Sequence, residues 1–367
     1  VARCASASPA GLDPCAAAFL PADGPLAAEA SAIRDPVALA ELRIREARLS
    51  GDPGFDTLAD LALDCALSRD PADPVARRWK GHVEIQFHRF AEAEARLAPL
   101  YGQTGAWRDA MLLGDARMER GDIDGADDAY DDAMAGRPGL ELYDRVAHLA
   151  WLEGDLPTAI ALEQDALSAA STADPEPMAW VATRLGWLRS LDGDVPNELG
   201  LALRVMPDYR PAHLALGRYL LATGHADDAE PHLRAAGPTI EAVRALAELD
   251  PAASVQSVSA QDRRGYAIWL APRDPAAAVA LLDAELAQRR DAVTRIARAW
   301  AAWTGGAGDA VAPEVRAALA TGIADPSTLV MAAEVLGDSS LAKRALSMSA
   351  GLLPSEQARA RAISKID

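Results

Sequence analysis

The stretch from Trp107 to Pro138, WRDAMLLGDARMERGDIDGADDAYDDAMAGRP, decides how the rest of the chain is read. Gly114, Gly121, Ala126, Tyr130, Ala133 and Pro138 stand at the offsets where two short antiparallel helices touch, turn and stop. Gly114 lets the second helix come close to the first, because a side chain there would hold the pair apart. Gly121 falls near the end of the first helix and supplies the positive φ that closes it. Ala126 and Ala133 sit seven residues apart, two turns along one face of the second helix, and Tyr130 fills the space between them. Pro138 ends the unit, since a proline cannot continue a helical ladder. One such hairpin cannot bury its own apolar stripe; stacked copies can.

The stretch resembles a tetratricopeptide repeat, and the same four-point pattern can be followed along the chain. It reads Gly54, Ala59, Ala66, Pro71, weakens to His88, Ala93, Leu100, and sharpens again over Gly121 to Pro138. Gly154, Ala159 and Ala166 follow with the stop delayed to Pro175, then Gly224, Ala229, Ala236, and finally Gly337, Ala342, Ser349, Pro354. The resemblance implies an all-α fold, a right-handed superhelix of stacked antiparallel helix pairs forming a TPR-like α-solenoid. The expected organisation is an irregular N-terminal cap over 1–35, a repeat array over 36–238, an irregular helical joint over 239–274, and a second array over 275–367. Asp35-Pro36 reads as the first helix start, with Pro in the first turn. The spacing from Gly193 to Pro207 is three residues short, so that second helix is expected to be truncated or re-angled. Ala252–Ser259 is a polar break, Gly305–Gly308 a connector, and Pro354–Ile366 a charged capping helix.

The net charge of −18 argues against nucleic acid, whose phosphates want a basic face. It suits a basic protein partner, or solubility alone. No apolar run reaches the roughly 18–20 residues that span a bilayer. Cys4 and Cys15 lie in a Pro/Gly/Ala-rich segment where a short disulfide loop is plausible, and the chain begins at Val. Together these favour an exported protein, periplasmic or extracellular, over a cytoplasmic one. Cys65, on the second helix of a repeat, reads as a small buried residue.

A search for chemistry returns little. HExxH, GxSxG, a Walker loop, GxGxxG and CxxC are all absent from the sequence. Asp122-Ile-Asp124-Gly-Ala-Asp127-Asp128 has its glycine at the fourth position where a calcium loop needs it at the sixth, so it reads as a turn and helix start. Glu84 and His88 read as a surface i,i+4 pair, and His225 and His232 bracket a turn without a ligand set. No cofactor or metal is expected.

The stronger signal is a groove. By the resemblance, certain positions of each first helix line a concave surface. These are Arg108, Met111, Asp115, Met118 and Glu119; then Glu141, Asp144, His148, Trp151 and Leu152. They continue as Trp180, Thr183, Trp187, Ser190 and Leu191, then Leu214, Arg218 and Leu221. Trp151, Trp180 and Trp187 would suit an extended peptide or partner helix, since desolvated Trp and Arg carry much of the energy of interfaces. They would equally suit packing between repeats or against a folded-back segment. The Lys/Asn/Arg carboxylate clamp of some family members is not found. The expected function is therefore a non-catalytic scaffold that binds a protein or peptide. The alternatives are a structural subunit of an exported complex and an enzyme built around Asp115, Asp144 and His148.

Overall fold

The computed structural model describes residues 13–19, 23–250 and 263–365. Those residues are helical with no strand among them, and they divide into two compact units, 1–137 and 138–367. Cys4 and the Ser-rich break lie outside the described residues.

The first unit holds α1 (Pro14–Ala18), α2 (Ala27–Ala32), α3 (Pro36–Ser50), α4 (Gly54–Arg69), α5 (Pro74–Gln86), α6 (Phe90–Thr104), α7 (Trp107–Glu119) and α8 (Ile123–Gly136). Helices pair as the sequence pattern requires: α3 with α4, α5 with α6, α7 with α8. A Cβ at Gly114 would stand 2.5 Å from the Tyr130 ring, so the close approach inferred from that glycine is real. Ala126, Tyr130 and Ala133 are all buried. Several helices start with an Asp-Pro step; at Asp73-Pro74 the carboxylate accepts the backbone N–H groups of Val75 and Ala76.

Two expectations in this unit need correction. Cys15 is bonded to Cys65 rather than to Cys4, with the two Cα atoms 4.6 Å apart, and this ties α1 to α4. The pairing joins sites 50 residues apart, a proximity that exists only once the cap has packed on the first hairpin. Glu84 is buried, not superficial, and accepts both the Nε and Nη2 hydrogens of Arg96, at 2.9 and 2.7 Å. As the weakened repeat pattern has it, His88 stands where other units have the turn glycine, with φ +56°, the left-handed value that a side chain disfavours.

The second unit holds α9 (Leu140–Leu152), α10 (Leu156–Ala169), α11 (Pro175–Leu191), α12 (Asn197–Val205), α13 (Arg210–Ala222), α14 (Ala226–Ala235) and α15 (Ile240–Leu246). It continues with α16 (Arg263–Leu270), α17 (Pro275–Leu286), α18 (Ala292–Ala302), α19 (Ala312–Leu319), α20 (Pro326–Leu336), α21 (Ser339–Ser347) and α22 (Pro354–Ile363). The shortened helix after Gly193 is α12, nine residues against fourteen in α10. Short helical turns fill 303–311, in place of the expected connector.

Within this unit the chain folds back on itself. Helix α20 buries eight of its eleven residues, as a helix apolar all round must. Leu329, Val330 and Ala333 join Trp151, Leu188 and Leu191 in one core, while Met331, Ala332 and Val335 join Trp300 in another. The final helix α22 is less polar in its surroundings than a solvated cap: Glu356, Gln357, Ala360 and Ile363 are buried. The Gln357 carboxamide donates to the carbonyls of Ala222 and Ser349 at 2.9 and 3.0 Å. Buried residues between Leu329 and Ile363 therefore share a core with α9–α11, while those from Ala267 to Val335 form a core of their own.

Candidate functional site

Helices α9 and α11 are neighbouring first helices, and their facing sides carry the residues singled out as groove-lining. Asp144, His148 and Trp151 follow one another at intervals of four and three along α9, which places them on one face. Trp180, Arg184 and Trp187 do the same on α11. The two rows meet in three rungs. The Trp180 indole N–H donates to Asp144 Oδ1 at 3.0 Å. Arg184 Nη2 lies 2.8 Å from His148 Nδ1. Trp151 and Trp187 meet edge to face with ring centroids 4.9 Å apart.

Electrostatics fix the protonation of the middle rung. A guanidinium only donates, so His148 Nδ1 accepts and its hydrogen sits on Nε2. Burial, then the positive charges of Arg184, Arg264 and Arg289, hold the imidazole well below its ordinary value, and the ring is neutral. Behind the ladder, Glu163 of α10 is fully buried. Burial and the neighbouring Asp144 charge push its carboxyl up to about 9, against the opposing pull of Arg184, whose Nε is 3.4 Å away. Glu163 is thus a protonated acid beside the Asp144 carboxylate at neutral pH.

The rungs differ in access. Trp180 is 39% exposed, whereas Trp151 is 8% exposed and belongs to the core shared by Leu329, Val330 and Ala333 of α20. The ladder is open at the Trp180 end and closed at the Trp151 end. His148 stacks on Trp151 at 5.4 Å between these limits.

Other groove candidates are placed elsewhere. Thr183 is buried, its hydroxyl bonded back to Ala179 O at 2.7 Å, and Arg184 takes the outward position instead. Met111 is buried in the first unit, and Asp115 there accepts the Tyr130 hydroxyl at 2.8 Å. Leu214 packs at the edge of a core that includes Leu221 and Leu353, and Arg218 donates to the Gly351 carbonyl at 3.3 Å. Sequence reasoning misses Arg184 and Glu163. Arg184 sits one residue past Thr183, and Glu163 lies on a second helix where no groove residue is sought. His232 meets His213, Nδ1 to Nδ1 at 2.8 Å. Asp122 caps α8 by accepting the Gly125 N–H, as a turn and helix start requires. Among the described residues no three His, Cys, Asp or Glu side chains converge as metal ligands.

No family model and no curated protein matches this chain. Solved structures do. A thermophilic TPR protein of Thermus thermophilus is similar at 20% identity, over 47% of this chain and 90% of its own, with a TM-score of 0.40. The human IFIT1 dimer with PPP-AAAA is similar at 13% identity, over 89% of this chain and 73% of its own, with a TM-score of 0.47. A tetratricopeptide repeat protein of Parabacteroides merdae is similar at 12% identity, over 76% of this chain and 98% of its own, with a TM-score of 0.41. The repeat character of this chain rests on its own helix pairs, which are tetratricopeptide-like in pairing, turn and close helix approach.

Proposed function

We propose that the chain is a non-catalytic scaffold that binds a peptide or protein segment along the α9/α11 ladder. The observation that carries this is the exposed Trp180 ring at the open end of a row of aromatic and ionic rungs. An indole held by its N–H yet presenting its face loses little entropy on contact, which suits a binding hot spot. The same rungs speak against acid–base work: His148 spends its basic nitrogen on Arg184, and Glu163 is paired with Asp144. The Cys15–Cys65 disulfide supports an oxidising compartment, and hence export.

The test is a photo-crosslinking residue at position 180, compared with one at the exposed position 165 of α10, in the native host. Crosslinking of a polypeptide from 180 and not from 165 is expected. Equal yields from both would refute the ladder as the docking face and favour a structural subunit that uses its outer surfaces.

A further inference from the structure

We infer that the facing imidazoles of His213 and His232 form a binding site for a divalent transition-metal ion of tetragonal preference, of which Cu(II) is the type. The site uses none of the residues of the α9/α11 ladder and stands independently of the scaffold reading.

The α13/α14 hairpin brings the two rings together. Its helices run antiparallel, so His213 in the first turn of α13 meets His232 in the last turn of α14. Gly217 permits the close approach, because a Cβ there would stand 2.8 Å from the Leu233 side chain. Ala212 and Leu233, the chain neighbours of the two histidines, are fully buried, which anchors both backbones. The histidines themselves are half-buried and within reach of solvent, with ring centroids 5.1 Å apart and Nδ1 2.8 Å from Nδ1.

The placement of hydrogens decides what the pair can hold. His213 Nε2 lies 2.9 Å from the Pro207 carbonyl oxygen, which only accepts, so Nε2 carries the hydrogen and Nδ1 presents a lone pair. A carbonyl that holds the far nitrogen is the usual support of a metal-ligating histidine. His232 then donates from Nδ1, and its Nε2 has no hydrogen-bond partner among the described residues. When the metal arrives, the His232 proton passes through solvent from Nδ1 to Nε2, so the ring stays neutral and a second lone pair replaces the N–H. A small rotation of each ring turns the two lone pairs to a common point. Among the described residues neither imidazole is hydrogen-bonded to an arginine or lysine, in contrast to His148. The exposed Asp228 stands one turn before His232 on the same face of α14, so local charge favours a cation.

The separation selects the ion. Two nitrogens bonded at about 2.0–2.1 Å stand about 2.9 Å apart at cis positions of a tetragonal ion and about 3.4 Å apart on a tetrahedral one. The 2.8 Å between these nitrogens fits the first. Two protein ligands leave the remaining positions to water, and the general order of divalent affinities also places Cu(II) above Zn(II).

The experiment titrates the full chain with copper(II) chloride and, separately, with zinc chloride in a non-chelating buffer. Electron paramagnetic resonance of the Cu(II) form is expected to show a tetragonal signal split by two nitrogens. Affinity should fall at least about tenfold in His213→Asn and in His232→Asn, and stay unchanged in His225→Asn. Circular dichroism reports whether the variants are folded. A second measurement needs no variant: on the wild-type chain, Cu(II) should shield His213 and His232 from diethyl pyrocarbonate and leave His225 reactive, as read by mass spectrometry. Cu(II) binding that survives both His213→Asn and His232→Asn overturns the site, as does shielding of His225 in place of the pair. A wild-type chain that binds no Cu(II) overturns it outright. Zn(II) binding more tightly than Cu(II) overturns the choice of ion.

Discussion

Replacing Gly154 with Ala tests whether the fold-back of the C-terminal helices is a tight backbone contact. Gly154 closes the turn between α9 and α10 with φ +86°, and a Cβ there would stand 2.5 Å from the carbonyl oxygen of Gly322, in the turn before α20. Gly322 itself has φ +92°, and a Cβ on it would meet the Glu153 carbonyl. Two tight turns 168 residues apart in sequence thus lie backbone to backbone. Gly193 occupies the same kind of turn after α11, with φ +91° and nothing within 4 Å of its Cβ position. Gly193→Ala therefore measures the cost of positive φ alone, about 1–2 kcal/mol. Gly154→Ala adds overpacking against a carbonyl that cannot swing away, about 1–3 kcal/mol more. Urea titration followed by tryptophan emission reads both. The midpoint of Gly154→Ala should fall well below that of Gly193→Ala, and amides of α20 should exchange faster. Equal midpoints for the two variants would show that the turns do not touch, and the closed end of the ladder would be open.

Glu163→Gln should show a pH-dependent gain. A carboxyl raised to about 9 in the folded chain from an ordinary value of 4.5 keeps a proton that the unfolded chain loses, so wild-type stability falls as pH rises between those values. The limiting slope is about 1.4 kcal/mol per pH unit. The variant should match wild type near pH 5 and exceed it by about 2–5 kcal/mol near pH 8; a constant offset at both would refute the protonated acid. Trp180→Ala should change stability by less than about 1 kcal/mol, as a surface substitution does, while Trp151→Ala should cost about 3–5 kcal/mol. The reverse order, measured by urea unfolding, would exchange their assignments. Intact mass with and without reductant should show one bond mapping to Cys15 and Cys65 with Cys4 alkylated. Its removal in Cys65→Ala should cost about 4 kcal/mol for a loop of 50 residues. A Cys4–Cys15 peptide in the digest would overturn that pairing.

The chain's helix pairs were legible because their causes are local. Gly114 against Tyr130, Ala126 against Ala133, and the Asp-Pro helix starts act within one hairpin, and a repeat writes them at fixed spacing. Asp144, His148, Trp151, Trp180 and Trp187 were named through the resemblance to the repeat family, and the structure brings them side by side on α9 and α11. Arg184 was not, because a one-residue shift between Thr183 and Arg184 depends on how α11 is rotated in its neighbours' grip. Cys15 and Cys65, 50 residues apart, were not paired correctly because the cap must first pack on α4.

The sequence by itself determined the element type and the pairing of adjacent helices, which follow from spacings of a few residues, and its resemblance to the repeat family named the candidate groove residues. Only the tertiary structure decided which of those residues stay open. The core that Trp151 shares with Leu329 and Val330 and the hold of Arg218 on Gly351 join positions more than a hundred residues apart. Helix α20 is drawn inside because its apolar surface runs all the way round and must be covered on every side. No spacing rule within a repeat says where that cover will be found.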